Sequence, residues 1–164
     1  MDLVSHYRQL GRYNFIANQR LYAACAALDD SEYREQRAGS FGSIHALLNH
    51  ILLGDRIWMS RFEGGGEHTP PLATILYDSF PDLREARERE DARINGFFDS
   101  APADFFSRTL KYVNSKGQPY SEPAMIAAAH LFNHQTHHRG QVHVMLSQTA
   151  VAPPSLDLHR ILNP

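Results

Sequence analysis

Four segments of this sequence have the amphipathic pattern of an α-helix, in which apolar residues return to one face. These segments span residues 3–28, 41–62, 81–99 and about 122–148, and turn-forming residues separate them. Helices of this length in a chain of 164 residues predict an all-α fold, a four-helix bundle. We expect one domain over residues 1–164.

Cap residues set the expected helix boundaries. Ser40 is the predicted N-cap of the second helix, and the glycines at 64–66 are expected to end it. Pro81 suits the first turn of the third helix. Ser121 is the predicted N-cap of the fourth helix, with Pro123 tolerated in its first turn.

A short β-hairpin is expected before the fourth helix. Residues 109–113 alternate in polarity, residues 114–117 have turn composition, and residues 118–120 are expected to form the return strand. Pro119 confines that strand to a sheet edge. Residues 150–164 are expected to form a tail packed on the surface.

Charge and composition indicate which partners and which location to expect for this protein. The formal net charge is -2 and no run of Lys or Arg stands out, which argues against nucleic acid as a partner. We also expect no membrane span, because the apolar stretches are short and interrupted by His, Arg or Asp. Cys25 is the only cysteine, and the N-terminus does not have the pattern of a signal peptide, so we expect a cytoplasmic protein.

Histidine placement is the main functional signal. Five of the ten histidines lie within the fourteen residues 130–143. His134 and His138 are four residues apart, which places them about 40° apart around a helix and about 6 Å along it. Two imidazoles at this spacing can bind one metal ion. Leu131 and Met145 share their face, so the pair is expected to point into the bundle.

A metal ion needs a third protein ligand, and His50 is the best candidate. It lies among apolar residues, including Leu53, on the inward face of the second helix, whereas His45 is roughly 140° away around that helix. Three neutral imidazoles and a water are a common catalytic zinc arrangement. His130 and His137 remain alternative ligands, His130 because it is also four residues from His134.

Two other chemistries are disfavoured. A di-iron bundle needs inward carboxylates, but no Asp or Glu lies between Pro123 and Leu156, and Asp55 is the one acid of the second helix. The glutamate base of His-Glu-x-x-His proteases is missing as well. Cys25 lies in an Ala-rich helix without an adjacent histidine, so we interpret it as a core residue rather than a nucleophile.

Four residues near the histidines are secondary candidates. Arg139 and Gln141 follow the histidine pair and would orient substrate or ligands, or else pack on the helix. Asp55 would hydrogen-bond a ligand imidazole, or pair with Arg56 or Arg139. Trp58 would line a substrate cavity beside the metal site, or else pack in the core of the bundle.

Several motifs resemble the DinB-like family of bacterial damage-inducible proteins. The segment Asn133-His134-Gln-Thr-His137-His138-Arg139-Gly140-Gln141 resembles the fourth-helix signature of that family, and residues 49–58 are similar to its second-helix motif. Residues 13–18 and the tail residues 153–158 are similar to further family segments.

The resemblance implies a four-helix bundle, often a homodimer, with His50, His134 and His138 as the ligands of a divalent metal. It also implies a small-molecule substrate, because relatives include transferases and isomerases that use a low-molecular-weight thiol, and metal-dependent hydrolases. Zinc is the expected metal, and nickel or iron also suits imidazole ligands. The competing hypothesis is a non-enzymatic dimeric module for metal binding or stress response, with a structural metal or none.

Overall fold

The computed structural model describes residues 2–65 and 70–164. In chain order the elements are α1 (Leu3–Cys25), α2 (Asp30–Arg34), α3 (Ile44–Phe62), α4 (Phe80–Ser100), a 3-10 helix (Ala103–Ser107), β1 (Thr109–Val113), β2 (Pro119–Pro123), α5 (Ala124–Leu146) and α6 (Leu158–Leu162). The strands pair antiparallel, with Tyr112 opposite Tyr120. The predicted all-α fold with a short hairpin before the last long helix is therefore confirmed. No described helix combines the length and hydropathy of a membrane span.

The four long helices pack as a bundle in which α1 lies against α4 and α3 lies against α5. Contacts of α1 with α5 and of α3 with α4 close the bundle. The tail forms α6, which packs on α1. Ile161 is buried there, and the Tyr13 hydroxyl donates a hydrogen bond to the Leu156 carbonyl at 2.8 Å.

The second long helix begins later than predicted. Its N-cap is Ser43, whose side chain accepts from the Ala46 amide at 3.1 Å, rather than Ser40. The reason is Gly42, which has φ +75° and therefore cannot belong to a right-handed helix. At the other end α3 stops at Phe62 and Gly64 has φ +87°, as the glycine run predicted, whereas Gly66 lies outside the described residues.

The prediction that Ser121 caps the fourth long helix is wrong. Ser121 pairs with Lys111 inside the hairpin, and β2 continues to Pro123, directly before α5. The first amide of α5, on Ala124, donates to the Arg108 carbonyl at 2.9 Å. A backbone carbonyl next to the hairpin thus takes the place of a side-chain cap.

The bundle core has an apolar cluster toward each end and a layer of polar residues between them. One cluster contains Leu21, Leu48 and Leu146, and the other contains Met59, Phe98 and Leu131. Midway along the four long helices, buried polar side chains form what we call the central polar layer. Its members are Asn14, Asn18, Asp55, Arg87, Asp91, Gln135 and Arg139.

Candidate metal centre

His50 lies on the inner face of α3, and a loop carbonyl orients its ring. The Nδ1 atom lies 2.9 Å from the carbonyl oxygen of Leu72. A carbonyl oxygen only accepts hydrogen bonds, so Nδ1 carries the proton and Nε2 keeps its lone pair. Phe41 stacks on the ring with centroids 3.9 Å apart, which further restricts its rotation.

The loop that supplies this carbonyl is tied to α3 by Asn49. The buried side-chain oxygen of Asn49 accepts from the amides of Leu76 and Tyr77, both at 2.9 Å. Its side-chain nitrogen donates to the Tyr77 carbonyl at 3.1 Å. The residue before His50 thereby helps to hold the loop that orients His50.

His134 and His138 approach His50 from α5. The Nε2 atom of His50 lies 3.2 Å from Nε2 of His134 and 3.2 Å from Nε2 of His138. The Nδ1 atom of His138 donates to the side-chain oxygen of Gln141 at 2.7 Å, which leaves Nε2 of His138 as a lone-pair donor. These three histidines form a cluster that could hold a divalent metal ion.

Burial keeps the three imidazoles neutral. It lowers the pKa of His50 and of His138, although the Leu72 carbonyl and Gln141 respectively oppose the shift. Burial, together with the other two imidazoles of the cluster, lowers the pKa of His134 to about 3. The Nε2 lone pairs of His50 and His138 therefore face each other at 3.2 Å, and a cation between them would relieve their repulsion.

Gly54 allows α3 to approach the ring of His134 closely. A Cβ atom at this position would lie 2.8 Å from Cε1 of His134. Carbon atoms in unstrained contact are about 3.5–4.0 Å apart, so only glycine fits here without a shift. Gly54 and Asp55 of α3 therefore face His134 and Gln135 of α5 at the same level of the bundle.

The other histidines that the structure describes lie outside the cluster. His130 is exposed and its ring centroid lies 5.8 Å from that of His134, while His137 is exposed and contacts Gln141. His45 points away from the cluster, as predicted, and its Nε2 lies 3.2 Å from the Tyr77 carbonyl. His68 lies outside the described residues.

Asp55 neither contacts a histidine of the cluster nor pairs with Arg56 or Arg139. It is fully buried, its carboxylate lies 2.5 Å from the Arg87 guanidinium, and it accepts a hydrogen bond from Gln135. Burial raises the pKa of Asp55, and Arg87 opposes that shift. The Asp55–Gln135 bond ties α3 to α5 in the central polar layer, directly beside Gly54 and His134.

Arg139 and Cys25 belong to the core rather than to the candidate site. The Arg139 guanidinium donates to the side-chain oxygens of Asn14, Asn18 and Gln135, so the role in substrate orientation that the sequence suggested is not supported. Cys25 is buried in an apolar cluster, and burial raises the pKa of its thiol to about 12. The interpretation of Cys25 as a core residue is thus confirmed.

A cavity of about 490 Å³ opens directly beside the three histidines. Its walls come from α3, α5, the hairpin and two loops, through residues such as Trp58, Tyr112, Tyr120, Phe41 and Leu72. The tail packs on α1, away from this cavity. The hairpin was predicted as an element, but no sequence signal indicated that its tyrosines face the histidines, because that depends on how the hairpin folds onto the bundle.

The fold and the site define a helical-bundle protein with a buried three-histidine cluster beside a cavity. The chain belongs to the DinB family, whose profile matches residues 3–164, so the resemblance found in the sequence is confirmed. It is 27% identical to Protein DinB of Bacillus subtilis (strain 168) over 156 residues, which cover 91% of this chain and 89% of that protein. Its fold is similar to the crystal structure of a DinB-like protein from Bacillus cereus ATCC 10987, with a TM-score of 0.63 and 18% identity over 85% of this chain and 89% of that chain.

Proposed function

We propose that this protein is a metal-dependent enzyme that acts on a small molecule, with His50, His134 and His138 as the protein ligands of one divalent ion. The observation that carries the proposal is the convergence of three Nε2 atoms, with separations of 3.2 Å from His50 to each of the other two. Tetrahedral zinc with Zn–N bonds of 2.0–2.1 Å requires neighbouring nitrogens about 3.3 Å apart. The donor set therefore fits zinc, and it also suits nickel or iron.

The surroundings of the cluster favour a catalytic site over a closed structural one. Among the described residues, the cluster contains the three histidines and no fourth His, Cys, Asp or Glu. A structural zinc site usually has four protein ligands, whereas a catalytic site keeps one position for water or substrate. The adjacent cavity of about 490 Å³ lies within the range of small-molecule sites.

The bound metal would act as a Lewis acid that lowers the pKa of a water or a thiol at its open position. The residues of the chain would then orient the ligands, since the Leu72 carbonyl and Gln141 hold the Nδ1 atoms of His50 and His138. Such a site would serve either transfer chemistry with a low-molecular-weight thiol as co-substrate or hydrolysis of a small molecule. The thiol must come from outside the protein, because Cys25 is buried.

Metal content is the first test of the proposal. Protein purified without a histidine tag is loaded with zinc, desalted and measured by elemental analysis, and we expect one zinc per chain. His50→Ala, His134→Ala and His138→Ala should each lose that zinc. His130→Ala and His137→Ala are the matched controls from the same helix and should keep it. A zinc-free wild type would contradict the proposal, and zinc loss in either control would contradict the ligand assignment.

Activity assays separate the two enzyme versions. Zinc-loaded protein is supplied with a small thiol and an aryl halide, and thioether formation is followed, with ester hydrolysis measured in parallel. Thioether formation that depends on His134 supports the transferase, and thiol-independent ester cleavage supports the hydrolase. Zinc binding without either activity favours the non-enzymatic alternative. A homodimer is a further proposal, and sedimentation equilibrium would test it.

A further inference from the structure

Aromatic rings form a continuous wall from the histidine cluster to the hairpin. The ring of His134 is followed by that of His130 at a centroid distance of 5.8 Å and by Trp58 at 5.0 Å from His130. Tyr112 follows at 5.5 Å from Trp58, and Tyr120 stacks on Tyr112 at 6.0 Å. A flat ligand in the cavity would meet ring faces and edges along this wall.

The described side chains that line the cavity bring no negative charge to it. The described residues that line it include no Asp or Glu, and Arg61 is their one Arg or Lys. The Arg61 guanidinium lies 4.0 Å from the ring centroid of Tyr112 and 4.5 Å from that of Trp58, and it donates to the Val113 carbonyl at 3.3 Å. Among the described residues, Glu122 places a carboxylate nearby, and it accepts a hydrogen bond from the Tyr112 hydroxyl.

The three imidazoles add no negative charge to this environment. A divalent ion held by three neutral ligands keeps its full double positive charge, and such a charge in a partly enclosed cavity is costly unless an anion compensates it. No carboxylate among the described lining residues offers that compensation, which favours a ligand that brings its own anionic group.

We propose that the cavity binds a small organic anion with an aromatic body, such as an aryl-substituted carboxylate. Its anionic group would lie at the three histidines, and its ring would pack against Trp58 and Tyr112. This inference rests on the proposed function for its metal-binding end, while the aromatic wall is independent of the metal. A cationic ligand with the same body would be repelled by the metal.

Trp58 is the only tryptophan of the chain, so intrinsic fluorescence reports on this wall directly. Zinc-loaded protein is titrated with 3-phenylpropionate, with 3-phenylpropylamine, which replaces the anion by a cation, and with propionate, which lacks the ring. We expect 3-phenylpropionate to change Trp58 emission saturably and, by calorimetry, to bind at least tenfold more tightly than either comparison compound.

Variants at the hairpin test the position of the ring. Tyr112→Leu should weaken 3-phenylpropionate binding by at least threefold, whereas Tyr112→Phe should keep it because the ring remains. Lys111→Leu is the matched control, since Lys111 is the neighbouring strand residue and does not line this cavity. Equal affinities in wild type and Tyr112→Leu would contradict the proposed packing.

The outcomes distinguish this inference from the proposed function. Wild-type protein that holds zinc but binds the amine as tightly as the acid, or binds neither, would overturn the inference and leave the zinc site intact. Protein that holds no zinc would overturn both. The comparison of acid with amine uses the wild type alone, so it decides the question even if a Tyr112 variant does not fold.

Discussion

Gly54→Ala tests whether the close approach of α3 to α5 determines the metal site. The added Cβ would lie 2.8 Å from Cε1 of His134. Because unstrained carbon contacts begin near 3.5 Å, the ring must move by about 0.7 Å or the helices must separate by a similar amount. Either movement takes Nε2 of His134 away from Nε2 of His50 on α3.

Two opposing effects determine the stability of this variant. Added volume in a packed region typically costs about 1–3 kcal/mol, whereas alanine is favoured over glycine in a helix by about 1 kcal/mol. The metal-free variant should therefore lose about 0–2 kcal/mol in the free energy of unfolding. The effect on zinc should be larger, a loss of about 10- to 100-fold in affinity, as for other changes that misorient a ligand.

Gly96→Ala is the matched control, because this exposed site in α4 leaves the Cβ position with no heavy atom within 4 Å apart from its chain neighbours and the backbone of its own helix. It should raise the free energy of unfolding by about 1 kcal/mol and leave zinc affinity unchanged. Urea denaturation of chelator-treated protein measures the first quantity, and competition with a chromogenic chelator measures the second. If Gly54→Ala binds zinc as tightly as the wild type, the close approach does not position His134.

Three further predictions concern the core and the cluster. Asp55→Asn removes one partner of the buried Arg87 and should cost about 3 kcal/mol in urea denaturation, whereas Glu88→Gln in an exposed i,i+4 pair should change stability by under about 0.5 kcal/mol. Folding lowers the pKa of His134 to about 3, whereas the pKa of a histidine in the unfolded chain is near 6.5. Between these two pH values His134 is neutral in the folded protein and protonated in the unfolded chain, so the unfolded state binds one more proton. Metal-free wild type should therefore lose more stability than His134→Gln as pH falls from 6.5, and parallel pH curves for the two proteins would contradict this. Cys25, whose pKa burial raises to about 12, should react with a thiol reagent at pH 7.5 only after urea is added, so rapid labelling of native protein would contradict its burial.

The helices were predictable because their determinants are local. Apolar spacing and cap residues lie within a few positions of each other, so the long helices match their segments apart from the end residues. The two wrong N-cap predictions, Ser40 and Ser121, each have a cause that the apolar spacing of the helix does not contain. Gly42 turns the chain before α3, and the Arg108 carbonyl, which belongs to the hairpin region, satisfies the first amide of α5.

The sequence by itself determined that His134 and His138 share a helix face, because the rise and rotation of an α-helix are constant. It also indicated the inward direction of His50, from the apolar residues around it. Only the tertiary structure decided how near the three rings lie, since that depends on Gly54 and on the loop that presents the Leu72 carbonyl.

The difference between local helix geometry and tertiary packing also explains why the partners of some residues were predicted wrongly or missed. A buried charge pairs with whichever opposite charge the packing brings near, so Asp55 meets Arg87 of another helix rather than a histidine or Arg139. Tyr112 faces the histidines because the hairpin folds across the bundle. Periodicity along one helix is a property of the local backbone and can be predicted from the sequence, whereas contacts between distant segments are decided by the packing of the whole chain.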